Sequence, residues 1–295
     1  MERPGVLDNL RITVLADDCV LYESPYLGQH GVSFLLEGMS GRNTKRILID
    51  VGQNFEALLH NMRTSGISPS GIDAIVLTHC HYDHTQGVVR LLREIGRKDI
   101  QVIAHPSIFR LHFVTEPYPR HVGIMPGDSK AEIEKAGGKL SLTEAPVVIM
   151  PGIMTTGEVR RPADFEIVSV AVKTIENGMV VDDLMLDDIS VVANVKDKGL
   201  VIITGCSHAG IINIANQATE VTGCNKLESI IGGLHLIEAS DTVINRTVDD
   251  LFKLNVAWIS AGHCTGFKAQ AKLYRVFAER FLPLRTGMQF ELGGN

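Results

Sequence analysis

The 295-residue chain lacks the features that would place it in several large protein classes. No apolar run approaches the roughly 18 residues that a membrane helix needs. The opening stretch, Met1 to Asn9, is polar, with acidic residues and a proline, and does not have the basic-then-apolar layout of a secretion signal. Cysteine is sparse and odd in number, five in all, and a chain this long does not depend on disulfide staples for a core. Reduced thiols and a cytoplasmic location are therefore expected. Excess positive charge is also missing. Lys and Arg number 28 against 34 Asp and Glu, a net charge of -6, which excludes bulk attraction to nucleic acid or to an anionic membrane. There is no low-complexity tract, no flexible linker, and no glycine-rich dinucleotide fingerprint in a strand-to-helix setting. The one tryptophan, Trp258, lies in a late apolar run and is expected in the core.

What is present is an ordinary globular composition, 45% hydrophobic and 21% charged, with strand and helix patterns alternating along it. Strands are predicted at 12–16, 32–37, 46–50, 73–78 and 100–104. Helices are predicted from a cap at Asn54 through 63 and over 86–95. From 110 to 138 the pattern weakens to a long loop with a helix near 130–136, and loops of that length are often functional. The second half repeats the style, with strands at 147–149, 184–186, 190–193, 199–204, 229–233 and 256–260 and helices at 211–222 and 241–254. One α/β domain is expected, made of pseudo-repeated halves at about 1–145 and 146–295.

The chemistry concentrates in His79-Cys80-His81-Tyr82-Asp83-His84, which puts three of the chain's 11 histidines and an aspartate in six positions just past a predicted strand. In extended backbone, side chains two apart share a face. His79 and His81 can then serve one metal ion, and Asp83 and His84 a second, because imidazole and carboxylate suit zinc, iron and related ions. Two ions about 3.5–4 Å apart can share one water and lower its pKa toward neutrality. Cys80 faces the other way. Three more times an apolar strand runs into glycine or threonine and then histidine, giving His208, His235 and His263. Asp50, at a strand end, suits either a hydrogen bond that orients a ligand histidine or the capping of its own turn. Arg160 and Arg161 could grip a phosphate. His121, Arg120, His30 and His105 are lesser candidates, and His60 and His112 carry no signal.

The stretch Thr78 to Gly87 resembles the signature of the metallo-β-lactamase superfamily. Asp17-Asp18, His30 to Glu37, Leu48 to Gly52, Gly152 to Arg161, Gly205 to Gly210, Gly232 to Leu236 and Gly262 to Gly266 extend the likeness over almost the whole chain. They narrow it to a subgroup labelled after a 7,8-dihydropterin-6-methyl-4-(β-D-ribofuranosyl)aminobenzene 5'-phosphate synthase. The resemblance implies an αββα sandwich, two mixed sheets flanked by helices, with two divalent metal ions at one edge. Zinc is expected, with iron or manganese as alternatives. It implies His79, His81, Asp83, His84 and His263 as ligands, Asp83 as the group that positions the attacking water, and His235 as an aid to the leaving group.

Two positions depart from the superfamily pattern. Ile153 stands where a Pro-Gly-His-Thr histidine would fall, and Cys206 where a bridging aspartate would fall. His208 is the expected replacement, with a Cys206 thiolate as the alternative. The expected activity is hydrolysis of a phosphate ester by metal-activated water, with Asp83 and His235 catalytic and Arg160, Arg161 and His121 on the substrate. The alternative is a transferase that condenses a dihydropterin pyrophosphate with a ribofuranosylaminobenzene 5'-phosphate. The partner in either case is a phosphorylated small molecule, not nucleic acid or membrane, and a homo-oligomer is left open.

Overall fold

Alternation within single strands sets the layers of the fold. In strand Gly199–Thr204, Val201 and Ile203 face one hydrophobic cluster while Leu200 and Ile202 face another, so the strand is covered on both sides. Strand Asn43–Ile49 does the same, with Ile47 and Ile49 inward and Leu48 outward. The shared inward cluster holds two seven-stranded sheets face to face, and helices close the outer faces. The protein, described as a computed structural model covering residues 5–166 and 171–294, is therefore the expected helix–sheet–sheet–helix sandwich.

The first sheet runs in the order Gln289–Gly293, Asn9–Ala16, Ser33–Ser40, Asn43–Ile49, Ala74–Val76, Ile100–Ala104, Gly138–Leu142. It is antiparallel up to Asn43–Ile49 and parallel beyond. The second sheet runs Phe281–Pro283, Trp258–Gly262, Leu227–Gly233, Gly199–Thr204, Val191–Val195, Ile153–Thr155, Val148–Met150, and its first four strands are parallel. Helix Phe55–Thr64 starts where Asn54 accepts the amides of Glu56 and Ala57, a side-chain cap. Helix Val88–Ile95 buries Val88, Leu91, Leu92 and Ile95, the spacing of one helical stripe, against the first sheet. Helices Ile211–Thr222, Asp241–Lys253 and Phe267–Phe277 cover the second. Trp258 is only partly buried and stacks on Phe290, ring centroids 5.1 Å apart. Among the described residues no helix is long and apolar enough to cross a membrane.

Two segments differ from expectation. Residues 184–186 form no strand, because Asp183 accepts the amide of Met185 at 2.8 Å and Met185 adopts φ 53°, a side-chain-closed turn that competes with extended pairing. Within the long loop, Phe113–Val114 pairs with Arg120–His121 on one side and with Val172–Glu176 of the hairpin Val172–Glu176/Met179–Asp182 on the other, forming a small third sheet. Two-residue strands are too short to show periodicity. The helix expected near 130–136 is Lys130–Lys135.

Candidate metal centre

Most of the groups that meet at the site come off the C-terminal ends of strands in parallel runs, the crevice where open α/β sheets place their chemistry. Asp50 follows Asn43–Ile49, His79 follows Ala74–Val76, Cys206 and His208 follow Gly199–Thr204, His235 follows Leu227–Gly233, and His263 follows Trp258–Gly262. Asp50, Ser207, His235 and His263 have φ of 53°, 63°, 43° and 45°, the left-handed region that costs a non-glycine residue of order 1–3 kcal/mol when the surroundings impose it. Four such residues at one edge mark a place where geometry is held against local preference.

The donors form two adjoining sets. In the first, His81 Nδ1 lies 3.0 Å from His79 Nε2 and 3.2 Å from His208 Nε2. In the second, Asp83 Oδ2 lies 3.3 Å from His263 Nε2 and 3.4 Å from His84 Nε2. Outer nitrogens are tied down. His84 Nδ1 meets Asp50 Oδ2 at 2.7 Å, and Asp50 also accepts the Thr78 amide and hydroxyl. His263 Nδ1 meets Asp18 Oδ2 at 3.1 Å, and His79 Nδ1 meets Thr78 Oγ1 at 3.0 Å. Asp50 thus holds a ring of the cluster, the first of its two expected roles. Cys80 points away into the apolar layer under the helices.

This donor set fits a cation. Two imidazole nitrogens, His79 Nε2 and His208 Nε2, converge on His81 Nδ1, and neutral rings cannot put a proton between every pair, so lone pairs face lone pairs unless a positive ion sits among them. His208 Nδ1 and both His235 ring nitrogens are buried without a hydrogen-bond partner. Burial first, then the charge of neighbouring imidazoles, holds His79 and His208 well below the usual histidine range, and burial holds His81 there too despite the pull of Asp83. In the second set burial works against the charged forms, but Asp83 and Asp50 outweigh it and raise His84 to about 9. Asp83 is likewise held well below the carboxylate range, because His84 and His263 overcome its burial. One set is therefore all neutral nitrogen donors, and the other is built around an anion.

His112, silent in the sequence, lies in the cluster. Its Nε2 is 2.9 Å from His81 Nε2 and its Nδ1 is 2.7 Å from Asp183 Oδ2. Asp183 also receives Arg110 Nη2 at 2.9 Å. The same acidic segment supplies Asp187, which accepts the Cys80 amide at 2.7 Å, and Asp188, which accepts the Ala209 amide at 2.7 Å, so one segment braces both ligand-bearing turns. The contact between His81 and His112 spans 31 positions and has no periodic signature. The other expected residues divide. His235 stacks on His208, ring centroids 4.1 Å apart. His30, about half exposed, reaches Asp18 Oδ1 at 3.2 Å and Asp83 Oδ2 at 3.5 Å. His121 meets the carbonyl of Ile124 in its own turn at 2.9 Å. Arg161 donates to the carbonyl of Met185 at 2.5 Å. Arg160 lies on the surface, paired with Glu220. Ile153 is fully buried between the sheets, so that position presents no donor.

A family model described as a beta-lactamase superfamily domain matches residues 45–175. The chain is 42% identical over 286 residues, 96% of its own length and 97% of the relative's, to a 7,8-dihydropterin-6-methyl-4-(beta-D-ribofuranosyl)-aminobenzene-5'-phosphate synthase of Methanocaldococcus jannaschii. It is 36% identical over 265 residues, 89% of this chain and 93% of the relative, to an uncharacterized protein of the same organism. Among solved structures, a metal-dependent hydrolase of the beta-lactamase superfamily superposes with a TM-score of 0.79 at 24% identity, over 97% of this chain and 100% of that one.

Proposed function

The chain belongs to the metallo-β-lactamase superfamily, in the family of the synthase that it matches along nearly its whole length, and on that premise we propose that it is a metal-dependent transferase acting on a phosphorylated small molecule. The reaction is the condensation of a dihydropterin pyrophosphate with a ribofuranosylaminobenzene 5'-phosphate. The observation that carries the choice is the 42% identity over 96% of this chain and 97% of the relative, joined to a donor cluster that suits displacement of a pyrophosphate.

His79, His81 and His208 would hold one divalent ion, and Asp83, His84 and His263 a second. Zinc fits the imidazole-rich set, with iron or manganese as alternatives. Bound cations would supply Lewis acidity that stabilises negative charge on phosphoryl oxygens. Burial keeps the first three rings neutral, so their lone pairs stay available. Asp50, Asp18 and His112 fix ring orientation through the outer nitrogens. His30, about half exposed, lies beside Asp18 and Asp83 on the solvent side of the second set.

A second reading, hydrolysis of a phosphate ester, is favoured by His235. An ester alcohol leaves more easily with a proton delivered to its oxygen, and His235 has two ring nitrogens with no partner beside the cluster. Metal-loaded protein given both the pterin pyrophosphate and the ribotide should release pyrophosphate and yield the condensed product by mass spectrometry, with loss of about 100-fold or more in His84→Ala. Turnover of generic phosphodiesters without any condensed product would overturn the transferase in favour of hydrolysis.

A further inference from the structure

Cys206 differs in its surroundings from an ordinary buried cysteine. Cys80 belongs to an apolar cluster, whereas Cys206, equally shielded from solvent, is in none of the hydrophobic clusters of the described residues. Its neighbours are imidazoles and the thiol of Cys264, whose sulfur and a ring nitrogen of His235 also lie within 4.8 Å of it. The sulfur is 3.2 Å from His84 Nε2. Its sulfur and the donor atoms of His79 and His208 lie within 4.8 Å of one another, and the same holds for its sulfur with the donors of His84 and His263. Cys206 is thus the donor common to both sets.

The backbone is built to bring it there. A Cβ on Gly205 would fall 2.2 Å from Thr78 Oγ1 and 2.9 Å from Asp50 Oδ2, so the glycine lets the end of strand Gly199–Thr204 close onto the pair that orients His84 and His79. The next residue, Ser207, is pinned in its left-handed conformation by a 2.7 Å hydrogen bond from its hydroxyl to the carbonyl of Gly233.

We propose that Cys206 is a metal ligand shared between the two ions, its thiolate closing the His79–His81–His208 set on one side and the Asp83–His84–His263 set on the other. This rests on the two-ion reading of the site given above. The thiol proton leaves to solvent as the sulfur takes up coordination, with no change of oxidation state. His208 and Cys206 then act together: the histidine completes one set and the sulfur joins the two. A soft sulfur between imidazole-rich sets selects zinc, cobalt or ferrous iron over manganese or magnesium.

Loading metal-free protein with cobalt(II) tests this without any assay of turnover. Two equivalents should bind and give the near-ultraviolet thiolate-to-cobalt charge-transfer band. X-ray absorption should find one sulfur per cobalt, against one for every two cobalts if the thiolate were terminal. Cys206→Ser should lose the band and hold one equivalent in place of two, while Cys264→Ser, which alters the neighbouring thiol, should keep both. Two equivalents without the band in the wild-type protein, or a band that survives in Cys206→Ser, overturns the shared ligand and leaves the two-ion reading standing. Less than one equivalent in the wild-type protein overturns both. The wild-type sulfur count decides the matter even if Cys206→Ser does not fold.

Discussion

His81 faces donors on both sides of its ring, His79 and His208 at Nδ1 and His112 at Nε2. If Nδ1 offers its lone pair to an ion, Nε2 carries the proton and donates to His112, whose own Nδ1–H then donates to Asp183. The chain of bonds fixes both tautomers. Replacing His112 by alanine should weaken binding of the first ion by about 10–100-fold, read by competition with a coloured chelator. Glutamine, which can still accept from His81, should recover part of the loss, and equal affinities in all three proteins would show that His112 does not position the ring. Asp188 makes a different prediction. Burial raises its pKa from 3.8 to about 7, so the folded state favours the neutral acid. That stability is fully present below about pH 4 and is lost as pH rises through 7. Asp188→Asn cannot lose it, so the variant should gain on the wild-type protein by up to about 1.4 kcal/mol per pH unit across that window. Urea unfolding at pH 5 and pH 8 measures the gain, and a flat difference would mean that the carboxyl is ionised in the fold.

At the level of elements, strand ends and tight backbone approaches make the site. Gly31 has φ 97°, and a Cβ there would fall 1.7 Å from the carbonyl oxygen of Asp83. Gly31→Ala should therefore cost about 2 kcal/mol or more and disturb the turn carrying Asp83, as thermal unfolding and metal stoichiometry would show. Much of this layer is legible in the sequence. A buried parallel strand is a short apolar run, and a side chain that must reach beyond it sits just after one or more small residues near the strand's end, which is how His79, His208, His235 and His263 stand out in the sequence. What does not show is side-chain pairing across long separations. The sequence leaves Arg160 open to a phosphate or to plain solvent and does not show Glu220, 60 positions on, as its partner. His112 reads as an unremarkable loop residue until Asp183 and His81 meet on either side of it. Leu184 and Leu186 read as strand because hydropathy does not record a side chain that closes on its own backbone.

For the whole molecule, the two donor sets draw on turns from both sheets, so ions bound there link the layers at one edge. Removing them with a chelator should lower the unfolding temperature, and the stabilisation restored at 100 times the dissociation constant should be about 2.7 kcal/mol for each ion. An unfolding temperature independent of metal would mean that the site carries no part of the fold's stability. The first sheet is completed from the far end of the chain, where Gln289–Gly293 pairs with Asn9–Ala16, and Arg11 bonds Glu291 across 280 positions. During synthesis the edge of Asn9–Ala16 therefore presents bare amides and carbonyls until Gln289–Gly293 has been made, and such an edge is a template for wrong partners. The first strand stays exposed until the last one leaves the ribosome, and a nascent chain stalled before residue 289 should be prone to aggregate even when its metal-binding turns are all present.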